Sequence, residues 1–319
     1  MKKKAIALLF IFQCFFVSCQ KVENGNIMIS KGNVYFNTSA VDTNFKVMFL
    51  ADTHFAIEDE RGKDYYKYSK RMGGSVVEPC NYGISNGNEQ FLISSLEKAK
   101  KDSVDLVILG GDIINFPSAA SVEHLTEILN NSGVNYVYVA GNHDWHYEGE
   151  PGIAAEQRTK WEKSTLKPLF KGENPLYRSL QLHQINFVFV DNSTNEITEE
   201  QLDFMQLQIQ RGMPIVLFMH IPLYFPMQNI DYGCGHPDWN EMHDIYYEIE
   251  RRLPWPKRGH TDTTLKFRDL VVSNDRIIGI FAGHTHQEAI DFSNGKIQYV
   301  VGSNSTGKDV IINFIKLGS

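Results

Sequence analysis

Cysteine, positive charge and long apolar runs are all scarce in this chain of 319 residues. The four cysteines stand in none of the ligand motifs described below, which points away from a soft, thiolate-held metal. Acidic residues outnumber basic ones, 38 to 31, for a net charge of −7. That balance argues against an extended nucleic-acid-binding surface and leaves room only for a local basic pocket. The N-terminal apolar stretch, residues 5–17, is too short for an ordinary spanning helix. No repeat or low-complexity tract is evident. What remains is a chain that is 42% hydrophobic and 22% charged, enough for one large globular domain with a substantial core.

Lys2, Lys3 and Lys4 precede the apolar stretch, which only Gln13 interrupts. This is the layout of a secretory signal, so residues 1–18 are expected to leave as a leader. The stretch closes on Phe16-Val17-Ser18-Cys19, which resembles a bacterial lipobox. The resemblance implies a lipid on Cys19, a membrane attachment through it, and a place in the cell envelope facing the periplasm or the outside. Ordinary secretion with an unmodified Cys19 is the alternative. In an oxidising compartment Cys80 and Cys234 either pair or stay as two buried thiols. Residues 19–44 are polar and read as a tether, with one edge strand around 34–36. The folded domain is expected to span 45–319.

Within that span, short apolar runs alternate with amphipathic stretches. Strands are expected at 45–51, 106–109, 134–140, 187–190, 215–219 and 277–282. Helices are expected over 88–101, around 122–129, and after a capping box formed by Thr198 and Gln201. The tail holds runs at 289–292, 297–301 and 310–315 with turns but no helix between them. Parallel strands with crossover helices, followed by an antiparallel tail, make a mixed α/β domain. Residues 55–87 and 221–261 break the rhythm, and loops of that length usually serve function.

Five motifs follow strand candidates directly: Asp52-Thr53-His54, Gly111-Asp112, Gly141-Asn142-His143-Asp144, His220, and Gly283-His284-Thr285-His286. In a strand, residues i and i+2 point the same way, so Asp52 with His54, and His284 with His286, are expected to project together. Taken singly the signals differ. An Asp-x-His triplet is common, and His220 alone reads best as a satisfied core histidine. The ordered set is far more specific. Carboxylate, amide and imidazole donors suit two hard-to-borderline divalent metals, and paired metals mostly serve phosphoester hydrolysis.

These motifs resemble the calcineurin-like metallophosphoesterase superfamily, with its D-x-H, G-D, G-N-H-D/E, H and G-H-x-H pattern, from Asp52 to His286. The resemblance implies an α/β fold, two mixed β-sheets packed as a sandwich flanked by helices in four αββα layers. It implies that Asp52, His54 and His286 hold one metal, that Asn142, His220 and His284 hold a second, and that Asp112 bridges them. The metals would be Mn, Zn or Fe, sharing a hydroxide. His143 would protonate the leaving group, with Asp144 holding its ring. Purple acid phosphatases carry a Tyr three residues after the bridging Asp and lack the first His; here Asn115 and His54 stand there.

The expected activity is therefore hydrolysis of a small phosphoester, with a phosphodiester favoured over a phosphomonoester of a nucleotide or sugar. A non-catalytic, metal-holding envelope protein or a tethered binding module are the competing classes. The two long loops carry cations and aromatics, among them Arg61, Lys67, Tyr65, Tyr68, Trp239, Arg251, Arg252 and Trp255. These would hold phosphate and stack on a base or sugar, or simply anchor the loops. His146, His236, His243 and His260 lie in or near these loops.

Overall fold

The computed structural model describes residues 20–22, 25–72, 87–243 and 257–317. The leader, Cys19, Cys80, Arg251, Arg252 and Trp255 lie outside the described residues. Among the described residues, thirteen strands form two sheets. The first sheet uses β1 (Gln20–Val22), β2 (Gly25–Ser30), β3 (Asn33–Thr38), β4 (Phe45–Leu50), β5 (Leu106–Leu109), β6 (Tyr136–Tyr138) and β13 (Val310–Lys316), in the order β1-β2-β3-β13-β4-β5-β6. The second uses β7 (Tyr177–Leu182), β8 (Ile185–Val190), β9 (Ile215–Phe218), β10 (Ile277–Ala282), β11 (Ala289–Ser293) and β12 (Lys296–Val300), in the order β11-β12-β10-β9-β8-β7. Both sheets are mixed, and they pack face to face with helices outside.

The central strands read as unbroken apolar runs because both of their faces are covered. All six residues of β8, Ile-Asn-Phe-Val-Phe-Val, are buried. Between the sheets lies an aromatic layer in which Phe314 stacks on Phe36 and Phe45, and Phe218 stacks on Phe187 and Phe281, with centroids 4.5–5.8 Å apart. On the outer side of the first sheet, α2 (Glu89–Lys101) buries Leu92, Leu96 and Ala99, and α3 (Ala119–Ser132) buries Val122, Leu125 and Leu129. α5 (Glu199–Gln210) and α6 (Asp262–Ser273) cover the second sheet. Thr198 and Gln201 form the expected capping box at the start of α5. Three helices, α6 and the further α1 (Tyr66–Arg71) and α4 (Ala154–Lys163), fall where no helix was expected.

Two expectations are corrected. Residues 25–30 and 33–38 are sheet strands, not tether, and the strand expected around 34–36 lies inside the sheet rather than at its edge. Ile27, Val34 and Phe36 alternate into the aromatic layer, and β3 pairs in parallel with β13. Gly, Asn, Ser and Thr at the strand ends disguise them. Nor is the tail simply antiparallel. β11 and β12 form a hairpin, which lays β12 parallel to β10. The last strand, β13, then crosses to the first sheet and inserts between β3 and β4.

Candidate metal centre

The carboxyl ends of β4, β5 and β6 in one sheet and of β9 and β10 in the other open onto the same edge of the sandwich. Each expected motif follows one of these ends, as sites in open α/β sheets do. The turns are tight. Asp52 bonds through its N–H to the Gly111 carbonyl at 3.0 Å, and His54 to the Asp112 carbonyl at 2.9 Å. Glycine is needed at these crossings: a Cβ on Gly111 (φ +95°) would stand 2.5 Å from His220 Nδ1, and one on Gly283 2.6 Å from Asp52 Oδ2.

The side chains do not converge through a strand pleat. Asp52, His54, Asp112, His284 and His286 all have left-handed φ, between +49° and +71°. For a non-glycine residue that conformation costs on the order of 1–2 kcal/mol, and surrounding contacts must enforce it. Thr53, between Asp52 and His54, turns away into the core, where it is fully buried.

Two donor groups result. Asp52, His54 and His286 form one; Asp112, His220 and His284 form the other, with ligand atoms in each within 4.8 Å of one another. His54 Nε2 lies 3.8 Å from Asp52 Oδ1 and 3.7 Å from Asp112 Oδ2, so Asp112 reaches both groups. His220 Nε2 is 3.2 Å from Asp112 Oδ2, and its Nδ1 lies 2.9 Å from the Gly110 carbonyl. A third group overlaps them: His54, Asp112 and His143. The His143 ring stands edge-on to His54 at 4.6 Å, and its backbone N–H donates to Asp112 Oδ1 at 2.7 Å. Asn142 is buried beside it, directly after Gly141.

The residues fit divalent cations. His54 Nε2 and His286 Nε2 face each other at 2.9 Å, a separation that needs a proton or a cation between them. Asp52 Oδ1 is buried 3.6 Å from His286 Nε2 and has no hydrogen-bond partner among the described residues. Without a cation the charges are awkward. Burial, with Asp112 nearby, pushes the Asp52 carboxyl up to about 8. Burial brings His54 down to about 4, so its imidazole is neutral and able to ligate. His220 is also penalised by burial, but Asp112 overrides this and raises it to about 9.

Asp144 has a different task from the one expected. Its Oδ2 accepts the N–H groups of Asp112 and Gly141 at 2.8 and 2.7 Å, and its Oδ1 that of Ile114 at 3.0 Å. It ties the β5 turn to the β6 turn. Burial, with Asp112 close by, still lifts its carboxyl to about 7.

The loop residues are mostly anchors. Tyr65 stacks on Tyr147 at 4.6 Å and meets Trp161 edge-on. Arg61 is paired with Asp59 and Glu123. Trp239 is buried and stacked on His260, which bonds Glu196. Cys234 is buried with its thiol 3.5 Å from the Asn195 carbonyl. Sequence reasoning missed Asn115 as a partner of His54, 3.0 Å from its Nδ1, and missed Ser303 and Asn304 beneath Asp52. No ligand-type spacing marks either.

A family model described as calcineurin-like phosphoesterase matches residues 45–288. A probable cyclic nucleotide phosphodiesterase of Psychrobacter arcticus is 21% identical over 225 residues, covering 70% of each chain. Among solved structures, a purple acid phosphatase from yellow lupin seeds aligns with 91% of this chain and 59% of its own, at 13% identity and a TM-score of 0.50. A dimetal phosphatase from Danio rerio aligns with 82% of this chain and 88% of its own, at 13% identity and a TM-score of 0.49. With the family model spanning most of its length, this chain belongs to the calcineurin-like phosphoesterases.

Proposed function

We propose that this protein is a dinuclear-metal phosphodiesterase of the cell envelope. One observation carries the reading: two donor groups, each with carboxylate and imidazole, meet at the shared carboxylate of Asp112. Two divalent cations held there would neutralise phosphate oxygens and acidify a water. Asp52, His54 and His286 would hold one, Asn142, His220 and His284 the other.

The chain's own residues supply the rest. Asp144 fixes the turns that carry Asp112 and Asn142. His143 is only partly buried, beside the shared carboxylate, where its imidazole can hand a proton to a departing alkoxide. Such help matters most where an alkoxide, a poor leaving group, departs. The name of the Psychrobacter relative favours a diester.

The test uses protein of measured metal content. Bis-p-nitrophenyl phosphate should turn over faster than p-nitrophenyl phosphate, and chelation should abolish both. Faster monoester turnover at equal metal loading would overturn the diester preference; metal-loaded protein idle on both would overturn the activity. The envelope assignment rests on the Cys19 lipobox and is tested by palmitate labelling, which should vanish in Cys19→Ser.

A further inference from the structure

The turn that carries Asp52 and His54 is held by residues beyond the family match. After β12 the chain runs Gly302-Ser303-Asn304-Ser305 and passes under that turn. Asn304 donates its N–H to the Ala51 carbonyl at 2.9 Å. Ser303 Oγ and the Ser305 N–H both donate to the Asp52 carbonyl, at 2.6 and 3.1 Å. Thr53 Oγ1 donates to Asn304 Oδ1 at 2.9 Å, a fully buried contact spanning 251 positions. The Asn304 amide is itself fixed, since its Nδ2 donates to Ser95 Oγ and to the Lys308 carbonyl, both at 3.0 Å. Ser95 in turn donates to Asp309 Oδ2 at 2.9 Å, and Asp309 is ion-paired with Lys98.

Asp52 and His54 both sit in the left-handed region, with one residue between them. A turn of that shape, made by side chains that disfavour it, persists only where its surroundings enforce it. The polar groups of Asp52 and Thr53 that could relax it are the ones taken by 303–305. We propose that Asn304, with Ser303, is a positioning residue for the first donor group: it holds Thr53 inward so that Asp52 and His54 are presented together. The inference rests on the dinuclear reading above. It adds a C-terminal clamp, anchored on α2 through Ser95, that no ligand motif contains.

The experiment titrates metal-free protein with Mn2+ and resolves two binding steps by calorimetry and by the electron paramagnetic resonance of free Mn2+. Thr53→Val keeps the volume and removes the hydroxyl; Asn304→Ala removes the acceptor. Each should weaken one step about 10- to 100-fold, the range for lost support of a metal ligand, while the other step stays within about threefold. The double variant should be no weaker than the worse single one, because both break the same contact. Thr53→Ser should restore parent affinity. Two Mn2+ bound alike by parent and variants would overturn the clamp alone. So would equal weakening of both steps, or the same deficit in Thr53→Ser. If Asn304→Ala does not fold, Thr53→Val still decides. A parent chain that binds no Mn2+ would overturn the dinuclear reading, and the clamp with it.

Discussion

Asn115 decides which nitrogen of His54 faces the metal groups. Its amide Nδ2 donates to the Met72 carbonyl at 2.6 Å, so Oδ1 is the end 3.0 Å from His54 Nδ1 and must accept from it. The proton is then on Nδ1, and the Nε2 lone pair points at Asp52, Asp112 and His286. Asn115→Leu keeps the bulk and removes the acceptor. Nitrogen-15 spectra should report a single Nδ1–H tautomer for His54 in the parent and a mixture in the variant. Metal affinity should fall by about 10- to 100-fold. An unchanged tautomer would show that Asn115 does not set it.

The second expectation concerns His143. Replacing it with Ala should leave bound metal unchanged, since the two other donor groups do not include it. Turnover of a diester with an alkyl leaving group should fall by about 10²–10⁴-fold, the usual worth of a general acid. Bis-p-nitrophenyl phosphate needs little protonation and should suffer much less. Equal losses on both substrates would remove the proton-donor role.

Gly283 makes a third point. An added methyl would stand 2.5 Å from Ala51 Cβ and 2.6 Å from Asp52 Oδ2, the oxygen that accepts the His284 N–H at 2.8 Å. Both are short side chains of fully buried residues, so little can yield. Gly283→Ala should cost about 1–3 kcal/mol of stability, as overpacking does, and should displace Asp52 enough to impair metal binding. Thermal melts and metal content check both; a variant equal to the parent in each would refute the packing argument.

Away from the centre, Arg158, Glu162 and Asp191 form a buried charged cluster, with Arg158 4.0 Å from Glu162 and 3.7 Å from Asp191. Burial, and the neighbouring Asp191 carboxylate, push Glu162 up to about 9. Its folded pKa is raised, so its contribution to stability is full below about 4.5, its ordinary value, and is lost as pH rises towards 9. Glu162→Gln removes that dependence. The melting temperature of the variant minus that of the parent should therefore grow between pH 5 and pH 9, by roughly 2–4 °C for each 1 kcal/mol gained. A constant difference across that range would contradict the assignment.

How much of this was legible in the sequence depends on what each residue does. Asp52, His54, Asp112, His220, His284 and His286 are readable because ligand chemistry admits few residue types and each motif follows an apolar run. Their conformation is not readable. The alternation rule predicts that Asp52 and His54 project as in a strand, yet both are left-handed, and Thr53 buries itself against a segment far along the chain. Ser303 and Asn304 look like any polar turn, because their role exists only once β12 has laid them under Asp52. Asp144 shows the same limit. An acid beside a histidine suggests a partner for its ring, whereas three backbone N–H groups from two loops claim its oxygens. β2 is not readable as a strand, and β3 only as an edge strand around 34–36, because Gly, Asn, Ser and Thr at their ends leave short apolar runs.

The position of β13 imposes an order on assembly. Val310–Lys316 is wedged between β3 and β4. β1, β2 and β3 therefore join the rest of the first sheet only through β13. Residues before 300 already contain both donor groups, from Asp52 to His286, but neither the segment beneath Asp52 nor the strand that seals the sheet. Contacts of such long sequence separation form late and slowly, so the two donor groups reach their final shape only after the segment beyond residue 300 has docked.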